Sequence, residues 1–171
     1  MPHYLVAGYL PNDYDPSSQD EATVEEIYAL NREMVAAGVN DMLVPGIKEF
    51  LDQHASLPMA LATNGERANV DFLLEKAGLR SHFSVVIDGH QVQHPKPDPE
   101  IYLLAAAQLK APASQCIVFE DSYTGVSAAV AAGMRVVGIR TTHGNLPGTS
   151  ITVDNFRSGE LTSWLAAQSR V

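Results

Sequence analysis

The stretch IVFEDSYTGV, residues 117–126, sets an apolar run against two adjacent carboxylates and then a small, glycine-containing turn. An apolar run without alternation is typical of a strand that is covered on both faces. The small residues continue as SYTGVSAAVAAG (122–133), which predicts a closely packed helix that ends at Gly133. Glu120 and Asp121 therefore stand where a buried strand gives way to a helix.

The same pattern extends outward along the chain. The run at its start is CIVFE (116–120), and three further runs are apolar throughout: LPMALAT (57–63), FSVVID (83–88) and RVVGI (135–139). Helix-length segments separate them: RANVDFLLEKAG (67–78) and PDPEIYLLAAAQL (97–109), the second with Asp98 as its expected N-cap and Pro99 at the first helical position. Alternating strands and helices from about residue 57 to 139 predict an α/β fold with a doubly wound parallel sheet.

The segments at the two ends of the chain have their own patterns. Thr23 and Glu26 form a capping box for a helix that ends at Gly38, and a second helix follows Pro45 with three apolar residues on one side, Ile47, Phe50 and Leu51. Residues 11–21 are rich in turn formers and predict a loop. Near the C-terminus, Leu161, Trp164 and Leu165 predict a helix that docks on the sheet.

Composition limits the class of protein. The chain has 171 residues, 46% of them hydrophobic, which predicts a single globular domain over 1–171. A net charge of −9 argues against nucleic-acid binding, and no apolar stretch approaches the roughly 20 residues of a membrane span. The N-terminus lacks the features of a secretory signal, and Cys116, the single cysteine, reads as a buried small hydrophobe. We therefore expect a cytoplasmic protein with neither nucleic-acid nor membrane partners.

Polar residues follow three of the predicted strands. Because ligands bind outside the carboxyl ends of the strands in open α/β sheets, we expect these residues to share one rim. They are Thr63, Asn64 and Gly65 after the first strand, Lys96 after the second, and Glu120 and Asp121 after the third. Hydroxyl and backbone donors with an ammonium suit a phosphate, whereas paired carboxylates suit Mg²⁺.

Each of these residues also has a simpler interpretation. Glu120 and Asp121 could be an acidic pair favoured by a helix dipole, Thr63 could end a strand and cap a helix, and Lys96 could be a solvated loop lysine. His90 and His94 resemble a metal pair, but HQVQH offers no third ligand and is more typical of an exposed loop.

From about residue 22 to 165 the chain resembles the haloacid dehalogenase (HAD) superfamily, in its β-phosphoglucomutase-like and sugar-phosphatase branch. LATNG is similar to the second motif of that family, KPDPEIY to its third, and FEDSYTGVSAAVAAGM to its fourth. VPGIKEFL resembles the segment that returns from the helical cap to the core. The three motifs stand in the family's order and in its strand and helix context.

The resemblance implies phosphoryl transfer through an aspartyl phosphate, with Mg²⁺ near the nucleophile. Thr63 would correspond to the phosphate-binding hydroxyl and Lys96 to the lysine that orients nucleophile and phosphate, which makes both catalytic candidates. Asn64 and Gly65 would join them in binding the phosphate. Glu120 and Asp121 would be the metal ligands.

The sequence departs from the family at the first motif, D-x-D-G at the end of the first strand. Aligning YLVAGYL (4–10) with that strand puts Gly8 or Tyr9 where the nucleophile belongs. A D-x-D does occur at Asp13–Asp15, but two residues separate it from the strand and a proline replaces the glycine. Asp13 is therefore the candidate nucleophile.

This departure also affects the expected architecture. We expect an atypical strand and loop over 1–21, a remnant of the helical cap over 22–44, and the core over 45–171. Because an empty central position would leave two internal sheet edges unpaired, we expect residues 4–10 to fill it. A strand exchanged within a homodimer is the alternative.

Together these features predict a Mg²⁺-dependent phosphohydrolase, of phosphatase or phosphomutase type, that acts on a small phosphorylated metabolite. Without the first motif, turnover is expected to be poor, since a carboxylate nucleophile divides a difficult displacement into two easier steps. The alternative is a catalytically silent HAD-fold protein, a truncated gene product that binds phosphate-like ligands or a partner chain. A response-regulator receiver would carry its acids first and its lysine last, which is the reverse of the order here.

Overall fold

The structure, a computed structural model, describes residues 3–7, 38, 43–141 and 143–168. Within these ranges, six strands form one sheet: β1 (His3–Ala7), β2 (Met59–Ala62), β3 (Val85–Ile87), β4 (Cys116–Glu120), β5 (Arg135–Ile139) and β6 (Ile151–Val153). The helices are α1 (Ile47–Gln53), α2 (Arg67–Ala77), α3 (Glu100–Gln108), α4 (Tyr123–Ala131) and α5 (Gly159–Gln168). Short 3₁₀ turns lie at Arg80–His82, Gly89–Gln91 and Ala113–Gln115.

All neighbouring strands are parallel, and their order is β3-β2-β1-β4-β5-β6. The chain winds from β1 towards one edge through β2 and β3, and towards the other through β4, β5 and β6. This confirms the predicted doubly wound α/β fold. The direction of winding changes between β1 and β4, and the crevice of such a sheet opens at that point, outside the carboxyl ends of the strands.

Strand β1 occupies the centre of the sheet. It pairs with β2 from Tyr4 beside Met59 to Ala7 beside Ala62, and with β4 from His3 beside Cys116. The prediction that the N-terminal strand fills the central position is confirmed, although the strand covers His3–Ala7 and not 4–10. The predicted loop at 11–21, the candidate Asp13 and nearly all of the cap segment 22–44 lie outside the described residues.

Helices pack on both faces of the sheet and bury a different cluster on each. The first cluster contains residues of α1, α2 and α5, and the second contains residues of α3 and α4. Side chains of β4 alternate between them, since Ile117 and Phe119 join the first cluster while Cys116 and Val118 join the second. The predicted docking of the C-terminal helix is confirmed by the burial of Leu161 and Leu165 in the first cluster.

Two details differ from the sequence-based expectations. Helix α3 begins at Glu100 with Pro99 as N-cap, not at Pro99 with Asp98 as N-cap. The Pro99 carbonyl accepts the first helical hydrogen bonds, from Tyr102 and Leu103, and Asp98 caps from outside by accepting the Glu100 amide at 2.9 Å. Strand β6 was not predicted, because ITV has only two apolar residues, on either side of a threonine, and polar residues flank it.

Cys116 lies inside the protein, as predicted for a small hydrophobe. Burial raises the pKa of its thiol to about 11, so the thiol is protonated at neutral pH. Among the described helices, none combines the length and the apolar character that a membrane span requires.

Candidate functional site

The junction of β4 and α4 brings two carboxylates to the carboxyl edge of the sheet. Glu120 is the last residue of β4, and α4 begins three residues later at Tyr123. Ser122 is the N-cap of α4, and its Oγ accepts a hydrogen bond from the Gly125 amide at 3.1 Å. The quoted stretch is thus a buried strand followed by a capped helix, as predicted.

Glu120 is the centre of a buried polar network, with 2% of its side chain exposed. Its Oε1 accepts hydrogen bonds from Lys96 Nζ and from the Tyr102 hydroxyl, both at 2.6 Å. Its Oε2 accepts from the amides of Asp121 and Ser122, at 3.0 and 3.2 Å, and from Ser122 Oγ at 3.0 Å. Protein donors therefore engage both carboxylate oxygens.

The charge state of this network follows from its contacts. Burial opposes ionisation of Glu120, but the Lys96 ammonium and the hydrogen bonds from Tyr102 and Ser122 outweigh it and hold the pKa of the carboxyl below its ordinary value. Burial, followed by the charge of Glu120, raises the pKa of Tyr102 well above its ordinary value. The network therefore joins an ionised carboxylate to a protonated phenol that donates to it.

Lys96 connects the ends of two strands. It lies in the segment between β3 and α3, and its side chain is only 5% exposed. Besides Glu120, its Nζ donates to the carbonyl of Ala62, the last residue of β2, at 3.2 Å. Its backbone amide donates to Asn64 Oδ1 at 3.3 Å, and its Nζ lies 4.8 Å from the centroid of the Tyr102 ring. Lys96 is thus a buried, fixed cation, which excludes the alternative of a solvated loop lysine.

The residues after β2 form a tight turn beside Lys96. Thr63 is buried, its amide donates to the Ile87 carbonyl at 3.0 Å, and its Oγ1 accepts from the Gly65 amide at 3.1 Å. A Cβ on Gly89 would collide with the Asn64 carbonyl, so the turns after β2 and β3 approach each other closely. Because the Oγ1 oxygen accepts the Gly65 amide, the Thr63 hydroxyl hydrogen is available to donate elsewhere.

Asp121 differs from its neighbour Glu120. It is only partly buried, and its Oδ2 accepts a hydrogen bond from the Thr141 hydroxyl at 2.6 Å. Burial and then the charge of Glu120 raise the pKa of Asp121, although the bond from Thr141 acts in the opposite direction. Asp121 is therefore a carboxylate whose negative charge the protein does not fully balance.

The site brings together most of the residues that the sequence singled out. Lys96 contacts Glu120 directly, and it contacts the residues on both sides of Thr63; Asp121 follows Glu120 in the chain. Sequence reasoning missed Tyr102, whose place in an apolar helix gives no sign of a partner 18 residues away. It also missed Thr141, which could have been found as a polar residue just after strand 135–139.

The two histidines of HQVQH do not share a partner. His90 Nε2 lies 3.4 Å from Glu66, and His94 Nδ1 lies 2.9 Å from Glu100. Potential ligand atoms of His94, Asp98 and Glu100 fall within 4.8 Å of one another at the start of α3. Both carboxylates already accept backbone amides, Glu100 from Gln93 and His94 and Asp98 from Glu100, so hydrogen bonds within this segment account for the cluster.

Comparisons with known proteins show which family this chain resembles. The family model of haloacid dehalogenase-like hydrolases matches residues 8–133. The chain is 36% identical over 129 residues to the fructose-1-phosphate phosphatase YqaB of Escherichia coli (strain K12), which covers 75% of this chain and 65% of that protein. The chain thus spans less than two thirds of the length of that relative.

Solved structures share the fold. A putative β-phosphoglucomutase from Thermotoga maritima superposes with a TM-score of 0.70 at 21% identity, covering 90% of this chain and 94% of that one. CbbY from Rhodobacter sphaeroides, in complex with xylulose-(1,5)bisphosphate, superposes with a TM-score of 0.65 at 31% identity, covering 83% and 67%. Given the family model that spans most of its length, this chain belongs to the haloacid dehalogenase-like hydrolase family.

Proposed function

We propose that the carboxyl edge of the sheet binds the phosphoryl group of a small phosphorylated metabolite and that the chain is a phosphohydrolase of phosphatase or phosphomutase type. One observation carries this proposal: a buried ammonium, Lys96, is fixed between the ends of β2 and β4 by Glu120 and the Ala62 carbonyl. A cation held at the crevice of a doubly wound sheet is suited to bind an anion there.

Neighbouring groups complete a set of donors for phosphate. Thr63 offers its hydroxyl, whose oxygen the Gly65 amide holds in place, and the turn offers the backbone amide of Asn64 at the end of β2. Glu120 accepts hydrogen bonds from Lys96, Tyr102 and Ser122, which fix its carboxylate. It therefore acts as the group that positions Lys96. Because these partners are fixed before the ligand arrives, little reorganisation accompanies binding.

The residues present fit a magnesium ion at Asp121. Its carboxylate is a hard oxygen ligand, and because burial and the charge of Glu120 raise its pKa, a cation beside it would favour the ionised form. In place of the paired ligands predicted from the sequence, we assign Asp121 alone as the protein's ligand on this side, because both oxygens of Glu120 already accept protein donors. When bound, Mg²⁺ would supply positive charge opposite the phosphoryl oxygens.

Phosphorylated sugars are the proposed substrate class. The Escherichia coli relative is named as a fructose-1-phosphate phosphatase, and the CbbY structure contains xylulose-(1,5)bisphosphate. Turnover requires a nucleophile near Lys96, for which Asp13 is our candidate. A second function, binding without turnover, is favoured by one observation: β1, which runs between β2 and β4, has the sequence HYLVA and carries no carboxylate.

Two measurements on the purified chain test these functions: hydrolysis of p-nitrophenyl phosphate with Mg²⁺, and calorimetric titration with inorganic phosphate. A phosphatase should show Mg²⁺-dependent turnover that Asp121→Asn and Asp13→Asn reduce about 100-fold or more. A silent binder should show no turnover, but phosphate binding that Lys96→Met abolishes. Lys76→Met, at an exposed lysine on α2, is the matched control and should change neither. Absence of both turnover and phosphate binding would contradict the proposal.

A further inference from the structure

An aromatic pair lies beside the proposed phosphate site. Tyr123 is the first residue of α4, and the centroid of its ring lies 4.3 Å from that of His143, with 36° between the ring planes. Tyr123 follows Asp121 by two residues, and His143 follows Thr141 by two. Since Asp121 and Thr141 are hydrogen-bonded, the aromatic pair is a second contact between the same two loops, one step further from the strand ends.

Tyr123 is an exposed aromatic side chain. Among the described residues, three large hydrophobic side chains are exposed: Leu103, Tyr123 and Val130. Leu103 and Val130 lie within helices α3 and α4, whereas Tyr123 is 51% exposed at the end of α4 that meets the carboxyl edge of the sheet. His143 contacts the ring on one side, and the exposed remainder of the ring is a flat apolar surface two residues along the chain from Asp121.

We propose that Tyr123 and His143 form a subsite that stacks against the ring of a cyclic sugar phosphate while its phosphoryl group occupies the pocket at Lys96. This proposal rests on the phosphate-binding function proposed above. The Cα atoms of Asp121 and Tyr123 are two residues apart and therefore separated by at most about 7 Å, so a group joined directly to a phosphate beside Asp121 is within reach of the Tyr123 ring.

An aromatic subsite of this kind selects a ligand whose ring has an apolar face. One face of a furanose or pyranose presents C–H bonds, which pack against an aromatic ring while the hydroxyl groups at its rim stay solvated. Such contacts bury apolar surface, and the negative face of the aromatic ring adds an electrostatic attraction. An acyclic polyol phosphate and inorganic phosphate offer no such face, so the subsite should discriminate between ligands that share the same phosphoryl group.

The experiment compares three ligands by calorimetric titration with Mg²⁺ present: inorganic phosphate, glycerol 3-phosphate and fructose 1-phosphate. Tyr123→Ala should weaken fructose 1-phosphate about 3- to 10-fold, the range expected for loss of one aromatic contact, and should leave the other two ligands within about twofold. Tyr123→Phe should keep wild-type affinity, because the ring is retained. Leu103→Ala, at a similarly exposed apolar side chain on α3, should affect none of the ligands.

The outcomes separate this inference from the function on which it rests. If the wild-type chain binds inorganic phosphate but Tyr123→Ala weakens all three ligands equally, or none, the stacking subsite is wrong and the phosphate site stands. If Tyr123→Phe loses fructose 1-phosphate as strongly as Tyr123→Ala does, the hydroxyl and not the ring makes the contact, which also overturns stacking. If the wild-type chain neither binds inorganic phosphate nor hydrolyses p-nitrophenyl phosphate, the proposed function fails and the subsite fails with it.

Discussion

The two faces of the sheet are packed with side chains of different size. On the face covered by α1, α2 and α5, which we call the large-residue face, the core is built from aromatic and long aliphatic side chains, among them Phe50, Leu51, Met59, Leu61 and Phe119. On the face covered by α3 and α4, which we call the small-residue face, alanine predominates, at positions 60, 62, 105, 106, 128 and 129.

This difference shows how the fold makes room for the site. Small side chains let α3 and α4 approach the strands closely, so that Tyr102 reaches Glu120 and Gly125 packs against the same carboxylate. On the large-residue face the rings of Phe50, Phe119 and Phe156 contact one another, with centroids 5.0 to 5.4 Å apart. One face therefore serves mainly for stability, and the other combines stability with the positioning of charge.

The largest expected effect comes from removing one large side chain from the core of the large-residue face. Phe50→Ala removes a buried ring that packs against Phe119 and Phe156, and it should lower the free energy of unfolding by about 3–5 kcal/mol. Urea denaturation measures this loss. The phosphate affinity of the folded fraction should stay unchanged, because Phe50 lies on the face opposite the network around Glu120. A marked loss of affinity would show that the two faces do not have separate roles.

Gly125→Ala tests the close approach on the small-residue face. A Cβ at this position would overlap the carboxylate of Glu120, which five donors hold in place. We expect a loss of stability near the upper end of about 1–3 kcal/mol. Phosphate binding should also weaken, because a displaced Glu120 carboxylate would move the Lys96 ammonium that is bonded to it. Gly144→Ala is the matched control, since no atom lies within 4 Å of its added Cβ. If the two variants have the same stability and the same phosphate affinity, the steric argument is wrong.

Tyr102→Phe isolates one hydrogen bond of the same face. The variant keeps the ring and removes only the hydroxyl that donates to Glu120 at 2.6 Å. Loss of a buried hydrogen bond to a charged acceptor should lower the free energy of unfolding by about 1.5 kcal/mol. Thermal and urea unfolding measure the change, with Tyr123→Phe as an exposed control. If both tyrosine variants are as stable as wild type, the network does not depend on the phenol.

Much of the fold was visible in the sequence because buried parallel strands leave uninterrupted apolar runs. The runs at 116–120 and 135–139 match β4 and β5 to the residue. Polar residues at the ends of such runs indicated the rim, so Lys96 and Glu120 could be placed together although 24 residues separate them. The position of β1 followed from a different argument, the cost of leaving central strand edges unpaired.

What the sequence could not provide was the distribution of partners within the site. Glu120 and Asp121 are adjacent acids of the same charge, and nothing in their order shows that one is enclosed by five donors while the other meets a hydroxyl. That distinction depends on Tyr102 and Thr141, which come from a distant helix and a distant loop. Side-chain partners of this kind are fixed by tertiary packing and not by local pattern.

The smallest expected effect, and the one that sharpens the contrast within the site, concerns pH. For Glu120 the folded-state pKa is lowered. Its ionisation therefore stabilises the fold at pH values above its ordinary pKa of 4.5, and this contribution is lost as the pH falls through the lowered pKa. For Asp121 the folded-state pKa is raised above 3.8, so its ionisation destabilises the fold as the pH rises through the raised value.

Asp121→Asn should therefore increase the melting temperature at neutral pH in the absence of divalent cations, because the amide still accepts the Thr141 hydroxyl but carries no charge. The advantage should shrink as the pH falls towards about 3, where the wild-type carboxyl is protonated in both states. Added Mg²⁺ should stabilise the wild-type chain and not the variant. An Asn variant that is less stable than wild type at neutral pH without Mg²⁺ would mean that the protein already balances the charge of Asp121, and the case for a cation beside it would be lost.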